Sequence, residues 1–310
     1  MTLSSTLRPG RAAPASRGQR LWRQLRSHAL PYIFLAPLVV LLLAFLAFPF
    51  GSLIYYSLHR VDLGGSANFI GLRNFVILFH EQRFVQNLTT SGIYLAGNLA
   101  ISLPLAYFAA LLISSNRRGV GVLRTLFLIP WVLAPIVTAV LFKTLMNPSS
   151  GPITFALKWI FGHPVYLTLT DWGARLLIIL HSAWRSFPLE MLLIAAGMTA
   201  IPVELYEASR VDGAGPWKQF RYITLPLTRT PLFSALLLIS VYTIQDAEGV
   251  YALTQGGPGY GTEVTGVRLF KEAFLYFNIG LASAIGLVLI VLSIILIVFY
   301  LRILGQGESA

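Results

Sequence analysis

Residues 201–226 read IPVELYEASRVDGAGPWKQFRYITLP and carry the signals of a short helix with a defined start and end. Pro202 suits a first helical position, and Glu204 complements the positive end of the helix dipole. Gly213 can adopt the left-handed conformation that ends a helix. Glu207 and Arg210 are three residues apart and could pair on one face. The pattern predicts a helix of about three turns in this loop.

Ala208 and Ser209 lie in the middle of this helix and leave a surface with little side-chain bulk, which permits close docking. Helix signals alone also fit a solvated loop helix, because a stop at glycine is common in helices. The sequence around the segment is therefore needed to choose between a docking helix and an ordinary loop helix.

The flanking sequence is typical of a membrane protein. Hydrophobic residues make up 56% of the 310-residue chain and charged residues 11%, against roughly 45–50% and about 25% in soluble domains. Crossing a bilayer takes about 20 mostly apolar helical residues. We predict six transmembrane helices, at residues 31–58, 89–114, 122–145, 174–197, 227–249 and 279–303. Pro130 and Pro135 favour kinks in the third of them.

The 23 Lys and Arg residues predict the orientation of these spans. An even number of spans puts both termini on one side, and the side richer in Lys and Arg is cytoplasmic. Fourteen basic residues fall on the side of the termini, eight fall on the other, and Arg185 lies within a span. We therefore expect both termini and the loop of residues 200–226 in the cytoplasm.

The N-terminus carries six arginines before its apolar run, as a secretory signal would. The run is longer than the roughly 7–15 apolar residues of such a signal, so we expect a retained first helix. The predicted segments are a disordered basic cytoplasmic tail at residues 1–30, a six-span membrane domain at residues 31–303 and a short cytoplasmic tail at residues 304–310.

The loop also carries a longer pattern of spaced positions. Glu207, Ala208 and Ser209 are followed after three residues by Gly213, and after nine more by Ile-Thr-Leu-Pro at residues 223–226. This pattern resembles the cytoplasmic motif of binding-protein-dependent ABC importer permeases, written Glu-Ala-Ala, Gly, then Ile-x-Leu-Pro. Asp-Gly-Ala at residues 212–214 and a phenylalanine at position 220 are similar to the sugar-importer version.

The resemblance implies the type I ABC importer permease fold, an all-α membrane protein with six transmembrane helices and a cytoplasmic coupling helix. In that family the coupling helix sits in a cleft of an ATPase subunit, so that closure of the ATPase dimer rotates the attached spans. Residues expected to carry this coupling are Glu207, Ala208, Ser209, Arg210, Asp212, Gly213, Ala214, Phe220, Ile223, Leu225 and Pro226. Ser209 departs from the usual alanine, but serine is nearly as small, and a polar contact could be gained.

Two external segments resemble the sugar-importer branch as well. Residues 69–75 read FIGLRNF and resemble Phe-x-Gly-Leu-x-Asn-Phe, while residues 253–258 read LTQGGP and resemble Leu-Thr-x-Gly-Gly-Pro. Glu248 stands where the family commonly has an acidic residue, and Ala247 replaces the aromatic residue that usually precedes it. The resemblance covers most of the chain from about residue 35 onward and matches the six-span members.

The resemblance also implies the partners. They are a second permease subunit, a cytoplasmic ATP-binding-cassette ATPase dimer and an extracytoplasmic solute-binding protein that delivers a carbohydrate, all at the bacterial cytoplasmic (inner) membrane. ATP and magnesium would bind only the ATPase, so no cofactor and no catalysis are expected in this chain. Glycerol 3-phosphate and disaccharides such as trehalose or maltose stay open as substrates.

Polar residues within the predicted spans are candidates for the substrate pathway, because ionisable groups in a membrane are costly and usually face a cavity or a partner. A sugar would use them as hydrogen-bond partners and would place its ring against aromatic faces. The candidates are Asn98, Trp184, Glu190, Tyr242, Gln245, Asp246 and Glu248. A buried ion pair, or snorkelling near a span end, is the alternative for Arg185, Glu190 and Asp246.

Other function classes have little support in the sequence. The chain contains no cysteine and no Gly-Lys-Ser/Thr phosphate loop, and His80-Glu81 lacks the second histidine of a zinc helix. Basic residues lie at the ends of apolar stretches rather than on one face, which argues against nucleic acid as a partner. An ion-coupled secondary transporter is the alternative, but it would usually show inverted repeats and would not need the 207–226 pattern.

Overall fold

The computed structural model describes residues 34–62, 64–115 and 118–307. Most of them are helical, in line with the predicted all-α class. The helices are α1 (Phe34–Ser57), α2 (Arg73–His80), α3 (Gln82–Ile113), α4 (Val120–Val132), α5 (Pro135–Leu145), α6 (Pro152–Phe161), α7 (Asp171–Thr199), α8 (Val203–Val211), α9 (Pro216–Leu227), α10 (Arg229–Gln245), α11 (Glu248–Thr254), α12 (Thr265–Phe274) and α13 (Ile279–Gly307). The predicted basic tail at residues 1–30 lies outside the described residues.

The chain divides after Ser52 into two compact units. The first contains the larger part of α1, whose apolar side chains are exposed from Phe34 to Phe50, as on a helix that faces lipid. The second begins at Leu53 and contains every other element. All contacts given below lie within this second unit.

Four of the described helices are long and apolar enough to cross a membrane alone, namely α1, α3, α7 and α13. Two bent pairs, α4 with α5 and α9 with α10, pass the same test together. Counting each bent pair as one span gives six, the number that the sequence predicts. The last helix continues to Gly307, beyond the predicted span end at residue 303.

The third predicted span is broken rather than merely kinked. Helices α4 and α5 meet at an angle of 95°, with Leu133 and Ala134 in extended conformations between them. Proline disfavours the helical conformation of the preceding residue and has no N–H to donate, which explains why the helix restarts at Pro135. The predicted third span at residues 122–145 is therefore a bent pair of helices, with a sharper bend than the predicted kink.

The fifth predicted span ends earlier than expected. Helix α10 stops at Gln245, Asp246 is extended with φ −64° and ψ 115°, and Glu248 begins α11. Asp246 and Glu248 therefore lie at and beyond the end of the span, not inside it. The Asp246 carboxylate accepts the N–H of Gly249 at 3.1 Å, so it supplies a partner to an otherwise free amide in the first turn of α11.

The core is built where α3 packs along α7 and α7 packs along α10. Gly97 of α3 makes this approach possible, since a Cβ atom there would lie 2.6 Å from the Cδ1 atom of Ile179. One apolar cluster at the loop end of these helices includes Met191 and Ile194, both fully buried. A second cluster at the opposite end includes Leu177.

A small antiparallel hairpin follows α1, formed by β1 (His59–Val61) and β2 (Ala67–Phe69) with His59 opposite Phe69. It is the single exception to the all-helical prediction among the described elements. Asn74 fastens α2 to this hairpin, because its side-chain amide donates to the carbonyl oxygen of His59 at 3.1 Å.

Ion pairs attach the segment from Glu263 to Glu272 to the start of α3. Arg83 donates to both carboxylate oxygens of Glu263 at 2.8 Å, and the Glu263 side chain has no solvent exposure. Arg268 lies 3.1 Å from Glu81 and 2.8 Å from Glu272. Burial raises the pKa of Glu272, and the charge of Arg268 opposes that rise. This network fixes α12 against α3.

Candidate functional site

Helix α8 has the start and the end that its sequence predicts, with a shift of one residue at the start. Pro202 is the N-cap, with φ −57° and ψ 133°, and Val203 is the first helical residue. Gly213 has φ +75°, and its N–H bonds to the carbonyl of Arg210 while the N–H of Ala214 bonds to the carbonyl of Ser209. This pair of bonds is the Schellman arrangement, which requires the left-handed conformation that glycine adopts without steric cost.

Side chains also fasten α8 to α9. The Gln219 side-chain amide donates to the Ser209 hydroxyl at 2.9 Å and to the Tyr206 carbonyl at 3.2 Å. The Tyr206 hydroxyl lies 3.0 Å from the Thr224 hydroxyl, within hydrogen-bond distance. The serine that replaces the usual alanine of the motif therefore gains a polar contact, and α8 and α9 are held together as one hairpin, the 203–227 hairpin.

The outer surface of this hairpin has few partners in the chain. Helix α8 contains no buried residue, and Val203, Leu205 and Val211 are exposed, Val211 by 89%. The expected pair between Glu207 and Arg210 is not formed, since Arg210 donates instead to the carbonyl of Tyr206 at 3.2 Å. Ala208 and Asp212 are exposed as well. A nine-residue helix with exposed apolar side chains and little bulk is suited to a binding surface.

The inner surface of the hairpin faces the spans. Phe220 and Leu225 pack against the apolar cluster that contains Met191. The Phe220 ring meets the Tyr107 ring edge to face, with centroids 5.7 Å apart, and the Tyr107 hydroxyl lies 2.7 Å from that of Thr228. Ile223 and Pro226 are partly buried on the same helix. The 203–227 hairpin is therefore in direct contact with α3 and continuous with α10.

A cavity of about 510 Å³ lies between α7, α10 and the break after α4. Its wall combines aromatic, hydroxyl, amide and charged side chains. The residues that line it are Trp131, Ser182, Arg185, Ser186, Leu189, Ile239, Tyr242, Thr243, Gln245, Asp246, Ala247 and Glu248. Four of the predicted pathway residues, Tyr242, Gln245, Asp246 and Glu248, are among them.

The lining side chains differ in how strongly they are held. The Asp246 carboxylate accepts a hydrogen bond from the Tyr94 hydroxyl at 2.8 Å, in addition to the one from the Gly249 N–H. Gln245 donates to the Ser293 hydroxyl at 3.0 Å. Tyr242 is 65% exposed, and its ring is free to meet a solute.

The other three predicted pathway residues do not line the cavity. Asn98 is fully buried and donates to Thr243 at 2.8 Å, so it supports a lining residue. Glu190 is fully buried, with no hydrogen-bond partner for either carboxylate oxygen among the described residues. Trp184 packs on Phe142, with ring centroids 5.4 Å apart. The structure thus brings four of the seven predicted residues onto the wall.

Several residues that line the cavity are not among the predicted pathway residues, although their helical spacing is visible in the sequence. Ser182, Arg185, Ser186 and Leu189 follow the spacing of one face of a helix, and this is the face that α7 turns to the cavity. Trp131 had no comparable signal, because its position depends on the break between α4 and α5. No group of three or more His, Asp or Glu side chains within the described ranges could hold a metal ion.

Residues 102–306 match the family described as binding-protein-dependent transport system inner membrane component. The chain is 34% identical over 279 residues to the sn-glycerol-3-phosphate transport system permease protein UgpA of Escherichia coli O157:H7, covering 89% of this chain and 94% of that protein. It is 33% identical over 284 residues to the trehalose/maltose transport system permease protein MalF of Thermococcus litoralis, covering 90% and 94%.

The fold is similar to that of a solved bacterial alginate ABC transporter in complex with an alginate pentasaccharide-bound periplasmic protein. The TM-score is 0.78 at 23% sequence identity, over 91% of this chain and 96% of the other. A chain of the MetNI methionine ABC transporter matches with a TM-score of 0.52 at 18% identity, over 72% and 93%. The chain therefore belongs to the family of inner membrane components of binding-protein-dependent transport systems, and it has the type I ABC importer permease fold.

Proposed function

We propose that this chain is the membrane-spanning subunit of an ATP-driven importer that moves a carbohydrate into the cytoplasm, and that it catalyses no reaction itself. The observation that carries the proposal is the 203–227 hairpin, whose outer face is open and whose inner face packs on the spans that form the cavity wall. The names of UgpA, MalF and the alginate transporter support a carbohydrate or polyol phosphate as the solute.

The proposed coupling runs through contacts on both sides of α8. A cleft of the ATPase would receive the exposed face that contains Ala208 and Val211. Helix α7 enters α8 after a turn of three residues, and α9 returns to α10, so displacement of α8 moves two walls of the cavity. The Phe220–Tyr107 contact extends the movement to α3.

The remaining parts of the proposal concern the assembly. The importer would contain a second permease subunit, a cytoplasmic ATPase dimer that binds ATP and magnesium, and an extracytoplasmic solute-binding protein. The excess of Lys and Arg on the side of the termini supports a cytoplasmic position for both termini and for the 203–227 hairpin. The proposed domain limits are residues 31–303 for the permease domain, with the basic tail of residues 1–30 before it and the short tail of residues 304–310 after it.

Orientation can be tested directly because the chain contains no cysteine. Val211→Cys and Trp159→Cys place single thiols at positions that are 89% and 87% exposed, in the 203–227 hairpin and in α6 respectively. A membrane-impermeant maleimide should label the Val211 variant in inverted vesicles and the Trp159 variant in intact spheroplasts. The opposite pattern would overturn the proposed topology.

Coupling requires the assembled importer in liposomes, with the ATPase, the second permease and the loaded binding protein. Ala208→Trp adds bulk to the exposed face of α8, and Ala156→Trp adds the same bulk to an exposed position of α6. The first variant should abolish ATP hydrolysis stimulated by the binding protein, while the second should retain it. Uptake driven by a proton gradient without ATP would instead support an ion-coupled carrier.

A further inference from the structure

The charged side chains of the cavity wall are few and unequally held. They are Arg185, Asp246 and Glu248. Within residues 53–62, 64–115 and 118–307, no salt bridge is formed by any of the three. Asp246 is engaged by the Tyr94 hydroxyl and the Gly249 N–H, whereas Arg185 and Glu248 have no side-chain hydrogen bond in that part of the chain. Both are therefore free to contact a solute.

The sign of the charge on this wall limits which solutes it favours. One guanidinium and two carboxylates give the wall a net formal charge of −1. Charges interact several-fold more strongly here than in bulk water, because protein and lipid around the cavity lower the effective dielectric constant to about 20. A phosphate ester, which carries up to two negative charges, would gain one favourable and two unfavourable interactions.

The uncharged part of the wall favours a neutral solute. Trp131 and Tyr242 offer aromatic faces that are 44% and 65% exposed. Ser182 and Ser186 add hydroxyl groups along one face of α7. Aromatic surface combined with a few fixed polar groups is the usual composition of a pocket for a small neutral ligand. Free carboxylate and guanidinium groups can each bond to adjacent hydroxyls of such a ligand.

We infer that this cavity is selective for a neutral, hydroxyl-rich solute and discriminates against phosphate esters, with Glu248 as the residue that sets the discrimination. The inference rests on the proposed import function and narrows its substrate class to uncharged sugars. Glu248 is the deciding residue because its carboxylate accepts no hydrogen bond within the described residues and can contact the solute directly, whereas Asp246 is already bonded within the protein.

The electrostatic part can be measured without knowing the solute. Leu189→Cys places a single thiol on the cavity wall of the otherwise cysteine-free chain, and Trp159→Cys, at an exposed position of α6 away from the coupling surface, serves as the exposed control. Modification rates are measured in the assembled importer with a trimethylammonium-ethyl and a sulfonatoethyl methanethiosulfonate, each normalised to its rate with a small free thiol. At position 189 the cationic reagent should be favoured by about tenfold, and at position 159 by much less.

Variants of the wall then identify the responsible group. Adding Glu248→Gln to the Leu189→Cys background should reduce the preference to near unity, and adding Arg185→Gln should increase it. In the Leu189→Cys variant with Glu248 unchanged, maltose or trehalose should slow modification at position 189, whereas glycerol 3-phosphate should not. In the Glu248→Gln form, glycerol 3-phosphate should gain the ability to protect.

The outcomes separate this inference from the proposed function. A preference for the anionic reagent, a preference that Glu248→Gln leaves unchanged, or equal protection by glycerol 3-phosphate would overturn the inferred selectivity while ATP-driven uptake could still stand. Loss of ATP-driven uptake with the charge preference intact would overturn the importer function instead. Charges that the second permease contributes are included, because the assembled importer is measured.

Discussion

Gln219 provides the sharpest test of how the 203–227 hairpin is held together. Replacement by methionine keeps the length of the side chain but removes the donor that bonds to Ser209 at 2.9 Å and to Tyr206 at 3.2 Å. A net hydrogen bond contributes about 0.5–1.5 kcal/mol, so loss of these two partly buried bonds should cost about 1–2 kcal/mol. Since α8 contains no buried residue, few apolar contacts can compensate.

Such a cost corresponds to an increase of about 5- to 30-fold in the population with α8 detached from α9. A nine-residue helix that has lost its packing frays. Hydrogen exchange of the assembled importer therefore follows that population at the amides of Asp212, Gly213 and Ala214, which bond to carbonyls of α8. Gln219→Met should accelerate exchange there and lower the ATP hydrolysis that the loaded binding protein stimulates.

Lys218→Met is the matched control, because Lys218 is exposed on the same helix and its side chain has no bond within the described residues. It should leave both exchange and hydrolysis close to the wild type. Unchanged exchange in Gln219→Met would refute the reasoning, and so would equal effects of the two variants.

Two further predictions concern the end of α8 and the ion pairs at α3. Gly213→Ala should destabilise the end of α8 by about 1–2 kcal/mol, because Gly213 has φ +75°. Gly215→Ala should be tolerated, because Gly215 has φ −73° and open space around it. Hydrogen exchange of α8 compares the two variants. Glu263→Gln should cost about 3–5 kcal/mol by leaving Arg83 without its buried partner. Glu81→Gln should lower the free energy of unfolding by less than about 1 kcal/mol, because the Glu81 side chain is 33% exposed. Equal losses of stability in the two variants, measured by thermal unfolding in detergent, would contradict this prediction.

The parts of the structure that the sequence predicts are those governed by local chemistry. Each span appears as a run of apolar residues, because the thickness of the bilayer sets the required length of a helix. The start of α8 near Pro202 and its end at Gly213 follow from the backbone preferences of proline and glycine, which act within one or two residues. The resemblance of residues 207–226 likewise predicts the family that the comparisons show.

The cavity wall could be predicted only in part. Tyr242, Gln245, Asp246 and Glu248 stand out in an apolar stretch and do line the cavity. Glu190 stands out equally in sequence, yet it is buried and does not line the cavity, because the side on which a span meets its neighbours depends on the packing of other helices.

The sequence by itself determined the membrane class, the six apolar stretches, the start and end of α8, and the family. Tertiary structure alone decided the break between α4 and α5, the position of Asp246 at a helix end, and the pairing of Arg83 with Glu263 across 180 positions of the chain. The physical reason is that signals such as proline, glycine and hydropathy act on neighbouring residues. A cavity or a buried ion pair exists only after distant helices have packed, and its partners leave no periodic trace along the chain.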